Sequence, residues 1–200
     1  MKGLLIVCEG LDCAGKTTTI KELLKSSPGF VYSKSLGSDT FMGKLAKLFP
    51  STFLFMMELL YLDLWVIRPT LKKNMIILQD RHYMSLRCYT PSARKLFNRR
   101  ILHFFRRFIR RPDALVYFHV KKDERIKRLR QDDNPHHQHL VKNPHIIDSI
   151  ETEYKRQYRQ FLGDKTIIDT YEHNIRQASE KLSCFVSDML SPETVPVQGV

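Results

Sequence analysis

One eight-residue pattern near the amino terminus constrains the fold of this chain more than any other feature. The segment from Gly10 to Thr17 reads G-L-D-C-A-G-K-T and matches G-x-x-x-x-G-K-[ST]. It follows the apolar run at 4–7 and precedes a stretch of helical periodicity. Glycines let the backbone turn tightly, so that successive N–H groups converge on an anion at the start of a helix. The pattern therefore predicts a loop that binds the phosphates of a nucleoside triphosphate.

Specific roles follow for several residues of this loop. We expect Lys16 to bridge the β- and γ-phosphates and the hydroxyl of Thr17 to bind Mg²⁺. Asp80 ends the apolar strand predicted at 75–79, and ligands of open parallel sheets bind beyond the carboxyl ends of the strands. Asp80 is therefore predicted to hold Mg²⁺ or its water, the alternative being a carboxylate that caps a turn. The predicted cofactors are ATP and Mg²⁺, and the predicted nucleotide-binding residues are Gly10, Leu11, Asp12, Cys13, Ala14, Gly15, Lys16, Thr17 and Thr18.

Five short apolar runs are predicted to form strands, and segments with helical periodicity lie between them. Strands that alternate with helices indicate βαβ crossovers, and continuous apolar runs are typical of strands buried on both faces. The predicted fold class is α/β: a three-layer P-loop NTPase fold whose five-stranded parallel sheet has helices on both faces. We expect one domain over 1–190 and a disordered tail over 191–200. The predicted strands are 3–8, 30–33, 75–79, 114–120 and 166–168.

Helices are predicted at 17–26, 53–73, 94–111 and 123–132, with Pro69 breaking or kinking the second one. The segment 134–143 contains Pro135 and several histidines and is predicted to be a mobile loop within a lid at about 130–145. His136, His137, His139 and His145 also raise the alternative of a metal site. No cysteine and few carboxylates accompany them in the sequence, which favours the lid.

Composition limits the possible partners without choosing among them. The 200 residues carry a net charge of +12, which suits an anionic partner such as a nucleotide, a nucleic acid or a membrane surface. The four cysteines have no metal-ligand or disulfide spacing, which indicates reduced thiols. No signal-like segment is seen, and Glu58 and Asp63 interrupt the longest apolar stretch. We therefore expect a cytoplasmic location.

The chain resembles the thymidylate kinase family of P-loop nucleoside monophosphate kinases in several places. Residues 9–18, E-G-L-D-C-A-G-K-T-T, are similar to the E-G-x-D-G-A-G-K-T-T signature of that family. Residues 80–85, D-R-H-Y-M-S, together with Tyr89, resemble its D-R-[YH]-x-x-S-x-x-x-Y segment. Weaker similarities occur at 111–113, 120–130 and 167–169. The resemblance implies ATP-dependent phosphorylation of a (deoxy)nucleoside monophosphate, such as dTMP, to the diphosphate.

The resemblance also implies roles for individual residues. Asp12 would contact the acceptor sugar or a magnesium-bound water, and Arg81 would clamp the acceptor phosphate. Arg128 would reach the donor phosphates or adenine. Arg130 would be the mobile transition-state arginine, since Cys13 occupies the loop position where some relatives carry it. For Arg128 and Arg130 the alternative is a solvated helix charge. The family is commonly homodimeric.

Departures from the family pattern leave the acceptor open. Leucine occupies positions 59, 60 and 62, where the family has an arginine, and Thr90 and Pro91 replace the glutamine that reads the base. The R-x-P turn is replaced by K-S-L-G at 34–37. A site without donors for a base edge discriminates poorly. One alternative is a kinase for a nucleoside or another small acceptor, in which Glu9 is a candidate general base.

Another alternative is a catalytically weakened protein that binds nucleic acid or membrane through the basic helix 99–111. A helix packed on the sheet with a solvated basic face is the simpler interpretation of that segment.

Overall fold

A computed structural model describes residues 3–27, 29–36, 39–49, 51–89 and 96–191, with all their side chains except those of six residues. Those six are Lys47, Leu96, Phe97, Asn98, Arg99 and Ile101. The predictions made for Thr90, Pro91 and nearly all of the 191–200 tail lie outside the described residues.

Five parallel strands form one sheet in the order β2-β3-β1-β4-β5, which confirms the predicted fold class. Each predicted strand is present, with ends that differ by at most two residues. β1 is central in the sheet, which explains its uninterrupted apolar sequence. The strands are β1 (Leu4–Glu9), β2 (Phe30–Lys34), β3 (Ile76–Asp80), β4 (Ala114–His119) and β5 (Asp164–Asp169).

Helices cover both faces of this sheet. None within the described ranges has the length and apolar composition needed to cross a bilayer. The helices are α1 (Lys16–Ser26), α2 (Phe41–Leu48), α3 (Thr52–Leu62), α4 (Arg68–Lys72), α5 (Tyr83–Tyr89), α6 (Leu96–Arg106), α7 (Lys122–Arg130), α8 (Pro135–Lys142), α9 (Pro144–Gln160) and α10 (Ile175–Leu190).

Alternate side chains of β1 point to opposite faces of the sheet, where they pack into two different parts of the core. Ile6 packs with Ile20 of α1 and Leu182 of α10 on one face. Val7 packs with Met84 of α5 on the other face. This alternation follows from the two-residue period of a strand. The sheet is therefore the middle layer of three.

Register places the predicted site residues on one edge. Cys8 of β1 pairs with Asp80 of β3, and Glu9 pairs with Tyr117 of β4. The loop after β1 and the residues after β3 therefore emerge side by side at the carboxyl ends of the strands, as the sequence predicts.

The helical stretch predicted at 53–73 continues past Pro69 and changes geometry before it. A π-helical turn, Asp63–Ile67, joins α3 to α4, and the N–H of Arg68 donates to the carbonyl of Asp63. Proline has no N–H to donate, and its ring crowds the carbonyl four residues earlier. A wider turn just upstream accommodates both effects, so Pro69 does not break the helical stretch, and the other predicted outcome, a kink, stays a prediction.

The helix predicted at 94–111 ends early, at Arg106, and its predicted start lies partly outside the described residues. The amides of Phe108 and Ile109 both donate to the carbonyl of Phe105. The guanidinium of Arg68 donates a hydrogen bond to the carbonyl of Phe108 at 2.6 Å. This contact satisfies a carbonyl that a longer helix would have used.

The loop predicted at 134–143 is wrong, because this segment forms α8. The Asn134 side chain accepts from the amide of His136, and Pro135 occupies the first helical turn. Proline suits that position, since the N–H it lacks has no helical partner there. Leu140 is buried and anchors the helix.

Candidate active site

Two glycines shape the loop between β1 and α1. Gly10 has φ 143° and Gly15 has φ 81°, both in a region that side chains rarely adopt. A Cβ atom on Gly10 would lie 2.4 Å from the carbonyl oxygen of Phe118. The loop thus needs glycine at both ends of the pattern, which is the geometry of a phosphate cradle.

Lys16 is buried in the centre of this cradle. Its Nζ donates to the carbonyls of Gly10 at 2.8 Å and Leu11 at 2.7 Å. Burial, together with the nearby charge of Arg81, lowers the pKa of Lys16 from its ordinary value. An anion in the cradle would add negative charge beside this ammonium group and favour its protonated form.

Thr17 and Asp80 meet as predicted. The Thr17 hydroxyl donates to Oδ2 of Asp80 at 2.5 Å, and the Tyr32 hydroxyl donates to the same atom at 3.3 Å. The other oxygen, Oδ1, is buried and has no hydrogen-bond partner among the described residues. A free buried carboxylate oxygen beside a hydroxyl suits Mg²⁺, which prefers oxygen ligands.

The backbone of Arg81 is held in an unusual conformation. Its φ is 72°, which is uncommon for a residue other than glycine. Its N–H donates to the carbonyl of Cys8 at 3.0 Å, and its carbonyl accepts from the Ser35 hydroxyl at 2.5 Å. Contacts from β1 and from the segment after β2 therefore hold this strained residue in place.

The guanidinium of Arg81 lies between two side chains of the site. It forms an ion pair with the carboxylate of Asp12, and its Cζ lies 4.9 Å from the centre of the Tyr89 ring. The Tyr89 hydroxyl accepts from the N–H of Asp12 at 2.9 Å. Burial raises the pKa of Asp12, but Arg81 together with His136, His137 and Lys16 holds it well below its usual range. The pair is therefore ionised.

Glu9, just before the loop, is buried beneath the site. Oε1 accepts from the N–H of His82 at 2.8 Å, and Oε2 accepts from the hydroxyls of Ser85 at 2.6 Å and Tyr154 at 3.2 Å. Burial raises the pKa of Glu9 above its usual value, although the Ser85 hydrogen bond opposes the shift. With both oxygens occupied, Glu9 supports the edge of the sheet.

The structure separates the two predicted arginines of α7. Arg128 donates to the carbonyl of Cys13 at 3.3 Å and to the carbonyl of Thr170 at 3.2 Å, so it lies against the phosphate loop. Arg130 is exposed and lines a shallow surface groove with Asp123 and Lys127. Two residues along a helix rotate the side chain by roughly 200°. Arg130 therefore faces away from the loop.

Two histidines of α8 approach Asp12. Nε2 of His136 lies 3.6 Å from Oδ2 of Asp12, and Nε2 of His137 lies 3.8 Å from Oδ1. The carbonyl of His139 instead accepts from the side-chain amide of Asn143, the residue just after this helix. The helix that the sequence failed to predict thus lies over the phosphate loop.

Three contributors to the site were not predicted from the sequence. Tyr89 stands in the quoted D-R-H segment, but its contact with Asp12 requires the fold. Thr170 donates to the carbonyl of Ala14 at 3.1 Å and supports the loop from the end of β5. Tyr154 reaches Glu9 from α9. No local pattern marks Thr170 or Tyr154.

A parallel sheet of this strand order, with a glycine loop after its central strand and Asp80 beside it, defines a phosphotransferase of the P-loop class. The family model described as thymidylate kinase matches residues 8–182. The chain therefore belongs to the thymidylate kinase family, and it is a nucleoside monophosphate kinase.

Solved structures show the same fold. Thymidylate kinase from Candida albicans superposes with a TM-score of 0.72 at 19% identity, covering 94% of this chain and 93% of that one. Thymidylate kinase from Ehrlichia chaffeensis superposes with a TM-score of 0.67 at 15% identity, covering 96% and 100%. A comparison with curated proteins finds no match.

Proposed function

We propose that this kinase transfers the γ-phosphoryl group of magnesium-bound ATP to a (deoxy)nucleoside monophosphate such as dTMP. The observation that carries the proposal is the position of Arg81. Its guanidinium is held at the rim of the phosphate loop by Asp12 and Tyr89, and its backbone is strained. Strain of this kind persists where function requires a side chain to be aimed.

The acceptor phosphate is the natural partner of Arg81. A guanidinium presents a planar fork that matches two oxygens of a phosphate. The ion pair with Asp12 orients the guanidinium before the acceptor binds. When the acceptor phosphate takes the place of Asp12 on the guanidinium, the carboxylate can turn toward the acceptor sugar. A nucleoside acceptor has no phosphate to occupy the fork. The buried, fully bonded Glu9 also supplies no base for a sugar hydroxyl.

The donor phosphates are proposed to occupy the loop from Gly10 to Thr18. Lys16 would release the carbonyls of Gly10 and Leu11 and bind phosphate oxygens. Arg128 would contact the donor from the opposite side of the loop, where it already touches Cys13. Thr17 and Asp80 would hold Mg²⁺, which neutralises charge on the phosphates when bound. The residues of the chain thus supply position and charge, which phosphoryl transfer chiefly requires.

We also propose that residues 130–145, within a kinase domain spanning 1–190, act as its lid. His136 and His137 of α8 lie close to Asp12, so this helix covers the phosphate loop. Closure of such a segment excludes water from the reaction. Arg130 could reach the phosphates only if α7 rotated, whereas Arg128 needs no such movement.

The experiment is a coupled assay of ADP release from MgATP with a panel of nucleoside monophosphates, nucleosides and no acceptor. We expect stimulation by one or more monophosphates, lost in Lys16→Ala and kept in Arg176→Ala. Arg176 is an exposed arginine of α10, paired with Glu180, and serves as the matched control. Equal turnover with nucleosides, or no acceptor-dependent turnover, would overturn the proposal.

We also propose that the protein is a cytoplasmic homodimer. Tyr61, Leu64 and Trp65 are exposed at helical spacing, and Trp65 is 71% accessible. Phe104 is exposed on the neighbouring α6, and Phe108 is exposed just after that helix. An apolar surface of this kind, shared by two helices, is typical of an interface. These aromatic residues favour a second copy of the chain over a nucleic acid as the partner of the segment 99–111.

A further inference from the structure

Three residues of different chemistry converge where α8 meets the phosphate loop. Cys13 belongs to the loop, Asp132 follows α7, and His137 lies in the first turns of α8. One ligand atom from each lies within 4.8 Å of the other two. Within the described part of the chain, this is the one group of three or more such residues placed closely enough to hold an ion.

The contact between His137 and Asp132 is a close ion pair that lacks hydrogen-bond geometry. Nδ1 of His137 lies 2.9 Å from Oδ2 of Asp132. Nevertheless Nδ1 is buried and has no partner with hydrogen-bond geometry among the described residues. A buried ring nitrogen without such a partner is unusual. A ring nitrogen of this kind is available to bind a metal ion.

We propose that Cys13, Asp132 and His137 form a site for a divalent transition ion of the Zn²⁺ class. Sulfur, imidazole nitrogen and carboxylate oxygen are the ligands that Zn²⁺ takes in proteins. A tetrahedral ion separates such atoms by about 3.4–3.6 Å, so the group needs only side-chain adjustments of roughly an ångström. Three protein ligands leave a fourth position for water or a substrate oxygen.

The ligand set distinguishes this site from the one proposed for Mg²⁺. Thr17 and Asp80 offer only oxygen atoms, whereas Cys13 and His137 offer a softer sulfur and nitrogen. Mg²⁺ at ordinary concentrations therefore does not compete for the new site. A thiolate ligand requires deprotonation of Cys13, whose pKa burial raises, and a bound ion supplies the opposing charge.

The ion would join the phosphate loop to α8. Cys13 stands in the loop, while Asp132 and His137 flank the start of the helix. On the proposed function, on which this consequence rests, the ion fastens the lid over the loop and slows nucleotide exchange. Zinc would then inhibit turnover without replacing magnesium.

Binding is tested with Co²⁺, whose spectrum reports its ligands. We expect the wild-type protein to show the visible bands of tetrahedral cobalt and a thiolate charge-transfer band, both displaced by Zn²⁺. Cys13→Ser removes the charge-transfer band. Asp132→Asn and His137→Gln weaken cobalt binding by at least about tenfold, since even outer-shell losses cost 10–100-fold. His145→Gln, an exposed histidine of α9, is the control.

Absence of the charge-transfer band in the wild type, or equal binding by the three variants and the control, overturns the proposal. This readout does not depend on catalysis, so it stands apart from any failure of the kinase assay.

The inhibitory arm measures turnover with excess MgATP and micromolar Zn²⁺. We expect a chelator-reversible fall in kcat in the wild type and a resistant Asp132→Asn variant. Asp132 is a partly exposed residue, and asparagine preserves its shape. Equal inhibition of both proteins would place the zinc effect at Thr17 and Asp80 and overturn the proposed fastening of the lid.

Discussion

The hydroxyl of Tyr154 donates to the carboxylate of Glu9 across 3.2 Å, although 145 positions separate the two residues. Ser85 lies between them, with its hydroxyl 2.6 Å from Glu9 and 2.7 Å from Tyr154. The contact ties α9 to the end of β1, directly beneath the phosphate loop. The geometry of the loop therefore depends on a helix from the last third of the chain.

Replacing Tyr154 with phenylalanine should destabilise the fold while leaving the loop residues intact. The variant loses the hydrogen bond to the buried carboxylate of Glu9 and the contact with the Ser85 hydroxyl, and the loss of the first alone costs about 1–3 kcal/mol. Urea unfolding of wild type and Tyr154→Phe measures the difference. Tyr158→Phe is the matched control, because that hydroxyl has no hydrogen bond to any described residue. Equal stability of the two variants would contradict the structural role of Tyr154.

Glu9 should make stability depend on pH in a defined direction. Burial raises its pKa above 4.5, the value it has when solvated. The folded state therefore binds this proton more tightly than the unfolded state, and stability falls as pH rises from 4.5 through the folded pKa. Glu9→Gln should remove this component, so its destabilisation relative to wild type shrinks toward neutral pH. Urea titrations at several pH values test this, and a constant difference would contradict it.

Arg81→Ala should lower kcat/KM for the monophosphate acceptor by about 100–1,000-fold, the usual cost of losing a preorganised charged donor. Arg81→Lys should recover only part of this, since lysine keeps the charge and loses the planar fork. Steady-state kinetics with the acceptor varied provide the measurement, with Arg176→Ala as the control. An unchanged kcat/KM in Arg81→Ala would contradict the proposal that Arg81 binds the acceptor phosphate.

Asp80→Asn should weaken the apparent affinity for Mg²⁺ by about 10–100-fold, whether Asp80 touches the ion or its water. Chelation with EDTA should abolish turnover, and added Mg²⁺ should restore it. Tyr32→Phe is the matched control, since it removes a neighbour of Asp80 and leaves the carboxylate. Magnesium titrations that coincide for wild type and Asp80→Asn would contradict the proposed ligand.

Trp65→Glu should convert a dimer to a monomer, because a charge would be buried within the apolar surface formed by α3, the π-helical turn and α6. Light scattering during size-exclusion chromatography measures the mass. Leu162→Glu is the control, since Leu162 is a fully exposed residue that follows α9. A monomeric wild type would refute the proposed dimer.

The sequence predicts those parts of the site that depend on neighbouring residues. The loop from Gly10 to Thr18 is a local pattern, because its glycines, its lysine and the start of the helix are all close together in the sequence. Asp80 and Arg81 could be placed beside it because parallel strands share an edge. The five strands were predictable for a similar reason, since burial on both faces leaves uninterrupted apolar runs.

Other features required contacts that no local pattern encodes. Pro135 marks a turn in many sequences, and here it begins a helix because Asn134 caps it. His137 gains meaning only beside Cys13, which is far away in sequence. Arg128 and Arg130 look equivalent in the sequence, yet the direction in which α7 packs brings one to the loop and turns the other outward.

The central place of β1 in the sheet has a consequence for synthesis of the protein. Among the five strands, β1 is made before the others, but its partners on either side begin at Ile76 and Ala114. At 5–20 residues per second, the second partner appears roughly 5–20 s later. Until β3 has been made, the apolar segment at 4–8 has two open edges and no sheet to enter, and one edge stays open until β4 appears. We therefore expect a nascent chain that depends on chaperones until β4 has been made.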